Sequence, residues 1–102
     1  MTYLDKNKIK HQIREIFQQE KEIERIVLFG SFLTADDPRD LDIAVFQDSN
    51  DNYLTLSLRY RRLLRKLVIP IPVDLIPIVS GRSNDFTMSE IETGEVLYER
   101  GH

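Results

Sequence analysis

Three short runs of mainly β-branched and aromatic residues, Ile26-Val-Leu-Phe29, Leu41-Asp-Ile-Ala-Val-Phe46 and Val73-Asp-Leu-Ile-Pro-Ile-Val79, punctuate this chain. The segments before and between them carry apolar residues at helical spacing. Runs of four to seven such residues are strand-length, too short for buried helices, and the helical segments between them must cover whatever sheet they form. That alternation predicts an α/β (α+β) class, a small mixed sheet with helices packed against it on one side or at its ends. Strand order is not legible from the pattern.

The first helical segment runs from about Asp5 to Glu22, where Ile9, Ile13, Ile16 and Phe17 form one apolar stripe among Lys, Gln, Glu and Arg. The first strand ends on Gly30-Ser31, and Phe32 to Arg39 is expected as a loop. Behind the second strand, the turn formers Asp48-Ser49-Asn50-Asp51 offer N-caps to a helix from about Asn52 to Leu67. Its apolar positions are Leu56, Leu63, Leu64 and Leu67 with Tyr53 and Tyr60, and it also carries a cationic stretch, Arg59, Arg61, Arg62, Arg65 and Lys66. The plain reading of that stretch is a solvated helix face. In the third strand Pro77 lacks an amide donor, which pushes the distal half to a sheet edge or out of the ladder. Ser83-Asn-Asp85 can cap a short helix through Ile91, and Gly94 suits its stop before Val96-Leu-Tyr98.

At 102 residues, with 41% hydrophobic content, the chain has apolar material for one modest core, so residues 1–102 are expected as a single domain. With no cysteine and two distant histidines, His11 and His102, neither disulfides nor a zinc site can be built, and any metal would be held by oxygen. A net charge of −3 disfavours a surface built around nucleic acid. The N-terminus has no signal-peptide pattern. The most apolar stretch, Leu67 to Val79, is interrupted by Asp74 and three prolines and is short of the ~20 residues that span a bilayer. The expected location is cytoplasmic.

Alternate residues of a strand share a face, so Asp40, Asp42, Ala44 and Phe46 stand on one side of the second strand while Leu41, Ile43 and Val45 line the other. Two carboxylates about 6–7 Å apart on one face repel unless something positive sits between them, and a hard divalent cation, Mg²⁺ above all, suits that place. Asp74, the only charge within the apolar third segment, is a candidate third ligand, because a carboxylate there is costly unless paired, metal-bound or solvent-facing. Gly30-Ser31 supplies a position with no side chain, where phosphate oxygens can approach backbone amides, followed by a hydroxyl. Taken one at a time these are ordinary features. A lone Asp-x-Asp is usually a solvated strand edge, and Gly-Ser ends many strands.

Taken in order, Leu28-Phe-Gly30-Ser31, eight residues, Asp40-Leu-Asp42-Ile-Ala-Val and then Val73-Asp74-Leu-Ile resemble the polymerase-β-like nucleotidyltransferase superfamily, in particular its minimal, stand-alone (MNT-type) members. The resemblance covers nearly the whole chain, including the ending Ser89 to Glu99. It implies a polymerase-β-like nucleotidyltransferase fold, with Gly30 and Ser31 on the nucleotide's phosphates and Asp40, Asp42 and Asp74 as catalytic carboxylates holding two Mg²⁺ ions. It also implies transfer of NMP, AMP from ATP or another NTP, to a hydroxyl acceptor. Minimal members typically act as antitoxins of a helical HEPN-type toxin, in some cases by adding AMP to a toxin tyrosine, so a hetero-oligomer with such a partner is implied. The alternative is an antitoxin that neutralises by binding alone. This chain departs from the family in two ways: a short loop, and Phe32-Leu-Thr-Ala-Asp36-Asp37 where relatives often read Gly-Ser-x-Ala-Arg-Gly. The basic residue lost there leaves Arg39 and Arg82 as substitute phosphate partners.

Overall fold

The computed structural model describes residues 5–79 and 91–100. Its elements are α1 (Lys6–Phe17), β1 (Ile23–Phe29), α2 (Ser31–Thr34), β2 (Leu41–Gln47), α3 (Tyr53–Leu64), β3 (Val73–Val79) and β4 (Glu95–Glu99). The four strands form one mixed sheet in the order β3-β2-β1-β4. β1 is antiparallel to both β2 and β4, and β2 runs parallel to β3. Parallel neighbours need a crossover, and α3 supplies it.

Helix α1 is capped by Asp5, whose carboxylate accepts a hydrogen bond from Lys8 N at 3.0 Å. It buries Ile9, Ile13 and Phe17, spaced four apart, as the sequence pattern predicts. Asn52 caps α3 in the same way, accepting from Thr55 N at 2.9 Å. Leu56, Tyr60 and Leu64 form its buried stripe. These two stripes meet Ile26, Leu28, Leu41, Ile43, Val45 and Leu75 in the main core. Tyr60 and Phe17 touch edge to face, ring centroids 5.7 Å apart, tying α3 to α1.

The structure refines the expected boundaries. Both helices stop short of the expected ends, at Phe17 and Leu64, and the turns beyond them carry 3₁₀-type bonds such as Glu20 N to Phe17 O and Leu67 N to Leu64 O. Tyr53, counted with the apolar positions of α3, is 60% exposed, because at the first helical residue it lies beyond the sheet's cover. Val96-Leu-Tyr98, unassigned by pattern, lies in β4, which adds a strand beside β1. Pro77 sits on edge strand β3 opposite Val45 and stays in the ladder, since only one side of an edge strand must donate. The expected cap Ser83 to Asp85, the helix following it as far as residue 90, Tyr3 and His102 lie outside the described residues, and Ile91, the expected helix end, is helical. Among the described residues no helix is long and apolar enough to cross a membrane.

Candidate functional site

The odd positions of β2 fill the main core, so its even positions emerge on the opposite face of the sheet. There a smaller cluster, Val27, Phe29, Ala44, Phe46 and Ile91, forms an apolar floor flanked by the half-buried Ile76 and Ile78. Asp40 and Asp42 belong to this face by the same alternation. Register then brings in the third acid. Asp42 pairs with Asp74 across the parallel β2–β3 ladder, and Phe29, the last residue of β1, pairs with Asp42 from the other side. Residues in register on adjacent strands share a face and stand about 4.8 Å apart, so Asp42 and Asp74 are side by side. The Leu41 amide donates to Pro72 O at 3.0 Å, locking the starts of β2 and β3 together.

Gly30 completes this end of the sheet. It has φ 82° and ψ −160°, conformational space that is essentially glycine's own. A Cβ placed on it would lie 2.3 Å from Asp42 Oδ2. The turn is thus folded directly against the carboxylate: the dihedral calls for glycine, and any side chain would also push the Asp42 carboxylate aside. The residues after it form α2, a single helical turn closed by Leu33 N to Gly30 O at 3.2 Å and Ala35 N to Ser31 O at 2.8 Å. Where an uninterrupted loop was expected, Phe32 provides the reason for the turn: its ring is fully buried in the main core and pulls the backbone inward. Ser31 and Gly30 remain exposed above it.

Lys6 was not singled out by sequence. Its ammonium donates to Ala35 O at 2.5 Å and stands 5.5 Å from the centre of the Phe32 ring, so α1 clamps the far end of the Gly30 turn. No pattern signals a contact between residues 29 positions apart. Of the proposed substitute phosphate partners, Arg39 is exposed beside Asp40, and Arg82 lies outside the described residues.

The donor set here is three carboxylates, one exposed (Asp74) and two half-buried (Asp40 and Asp42), the hard-oxygen chemistry that Mg²⁺ takes. Among the described residues no three such side chains are drawn close enough to enclose an ion as they stand. The donor chemistry suits Mg²⁺, while the described side chains do not converge on one ion position.

A family model described as polymerase beta, nucleotidyltransferase matches residues 11–102. No match is found among curated proteins. Among solved structures, the fold is similar to one of a tri-AMPylated Shewanella oneidensis HEPN toxin in complex with MNT antitoxin. The TM-score is 0.69 and the identity 19%, over 94% of this chain and 74% of that one. A toxin–antitoxin structure with AMP-PNP gives a TM-score of 0.63 at 24% identity, covering 95% of this chain and 75% of that one. The toxin–antitoxin MntA-HepT gives 0.57 at 22%, covering 93% and 70%.

Proposed function

The chain belongs to the polymerase beta nucleotidyltransferase family, and we propose that it transfers AMP from ATP to a tyrosine hydroxyl of a HEPN-type toxin, acting as its antitoxin. The observation that carries this reading is the packing of the Gly30 turn against Asp42, itself the register partner of Asp74. One end of one sheet face then presents both a backbone turn open to phosphate oxygens and adjacent carboxylates. The similar structures with an AMPylated toxin and with AMP-PNP support the choice of nucleotide and partner.

In this reading Gly30 leaves room for the β- and γ-phosphates, and Ser31 donates its hydroxyl to them. Asp40, Asp42 and Asp74 would hold Mg²⁺, which when bound neutralises charge on the α-phosphate and the leaving pyrophosphate. Asp74, exposed on the edge strand β3, would take up the proton of the attacking hydroxyl. The acceptor oxygen forms its bond to the α-phosphorus as the bond to pyrophosphate breaks. So small a domain leaves little surface to enclose a second substrate, which suits an acceptor carried by another protein.

A second reading, neutralisation by binding alone, is favoured by one feature: exposed Asp36 and Asp37 follow the turn where a cation would meet phosphate. One experiment separates the two. The protein is incubated with Mg²⁺, ATP and a purified HEPN-type partner, the two are separated again, and the partner is weighed by mass spectrometry and assayed. A transferase leaves a partner heavier by AMP and still inactive, and Asp40→Asn with Asp42→Asn abolishes both effects while the fold persists. A partner of unchanged mass, inhibited only while bound and by both proteins equally, refutes transfer.

A further inference from the structure

The cationic stretch of α3 has no role in the site just described. Arg61, Arg62, Arg65 and Lys66 are all exposed and form no ion pair among the described residues. At 100° per residue, Leu54, Leu58, Arg61 and Arg65 fall within one narrow stripe, which flanks the buried stripe of α3 on the side of Leu64. Leu54 is 66% and Leu58 50% exposed, so the stripe presents two bare leucines followed by two bare arginines. Arg61 and Arg65 also wall a groove of about 330 Å³ whose other lining residues, among those described, are the aliphatic Leu64, Leu67, Ile69 and Val73.

We infer that this stripe and groove dock an acidic amphipathic helix supplied by another protein. The stripe from Leu54 to Arg65 spans 12 residues, about 16 Å, matching roughly three turns of a partner helix. An apolar row on that helix would cover Leu54 and Leu58 and reach the groove, while its carboxylates meet Arg61 and Arg65. Charge and apolar surface together select the occupant. The bare leucines and the aliphatic groove beside the arginines suit an apolar-faced protein helix over nucleic acid, and among the described residues no aromatic side chain lines the groove to stack a base. Among the described residues a second copy offers only cationic helices: α1 carries Lys6, Lys8, Lys10 and Arg14 against Glu15 alone, and α3 has arginines and no acid. Val73 in the groove lies on the sheet face opposite Asp74 by strand alternation, and the inference stands whether or not transfer occurs.

The test uses a synthetic helical peptide of about five turns with leucines on one stripe flanked by glutamates. Its controls are the same peptide with lysines for the glutamates and a single-stranded RNA of similar length. Binding to the full chain is followed by fluorescence anisotropy, and self-association by sedimentation. The acidic peptide is expected to bind, more weakly as salt is raised, and to lose about tenfold in affinity with Arg61→Glu and Arg65→Glu together. The pair Leu54→Ala and Leu58→Ala, which leaves the charges in place, is expected to weaken it as well, and thermal melting verifies that each variant is folded. Binding no tighter than that of the lysine peptide, tighter binding of RNA, self-association through this face, or affinity unchanged in both folded pairs would each overturn the inference.

Discussion

Replacing Gly30 by alanine isolates what the turn demands of its backbone. At φ 82° and ψ −160° an L side chain costs about 1–3 kcal/mol. The new methyl would stand 2.3 Å from Asp42 Oδ2, well inside the ~3.5 Å of a normal non-bonded contact. The carboxylate is the end of a flexible side chain, so it can turn aside, at about 1 kcal/mol for an unfavourable rotamer. Together these predict a loss of about 2–4 kcal/mol in unfolding free energy, a large share of the ~5–15 kcal/mol typical of a domain. Urea unfolding followed by circular dichroism measures it. A double-mutant cycle with Asp42→Ala separates the two causes: removing the carboxylate relieves the contact but leaves the dihedral strain, so a coupling of about 1 kcal/mol is expected. A Gly30→Ala protein within about 0.5 kcal/mol of wild type would refute the strained turn. Full additivity in the cycle would refute the contact with Asp42.

Lys6→Ala removes the clamp on Ala35 O and should cost about 1 kcal/mol, with faster amide exchange at Leu33 and Ala35; unchanged exchange there would show that α1 does not hold the turn. Burial, reinforced by the nearby Glu22 carboxylate, raises the Tyr60 phenol above its ordinary pKa. The folded state therefore holds that proton more tightly than the unfolded one. The resulting stability is complete below about pH 10, the ordinary phenol value, and is lost as pH rises beyond it. Tyr60→Phe, which keeps the ring against Phe17, should flatten this alkaline decline in urea titrations; parallel curves for the two proteins would contradict it.

Local chemistry suffices for much of this molecule. The i, i+4 stripes of α1 and α3, the Asp5 and Asn52 caps, and the alternation that sends Leu41, Ile43 and Val45 one way and Asp40 and Asp42 the other are all legible in the sequence, because each depends on residues a few positions apart. Order in the sheet is not local. That β2 lies parallel to β3 in the register that sets Asp42 beside Asp74, and that β4 returns to pair with β1, follows from which apolar faces can be buried together, a property of the whole chain. The helical turn after Gly30 belongs to the same class: Phe32 is drawn into a core built by α1, α3 and all four strands, and Lys6 reaches the turn only because α1 packs there. The sequence alone nominated the residues proposed here for a phosphate and a cation. Tertiary packing alone decided that the Gly30 turn closes against the Asp42 carboxylate, since that contact joins two strand ends whose meeting no local preference dictates.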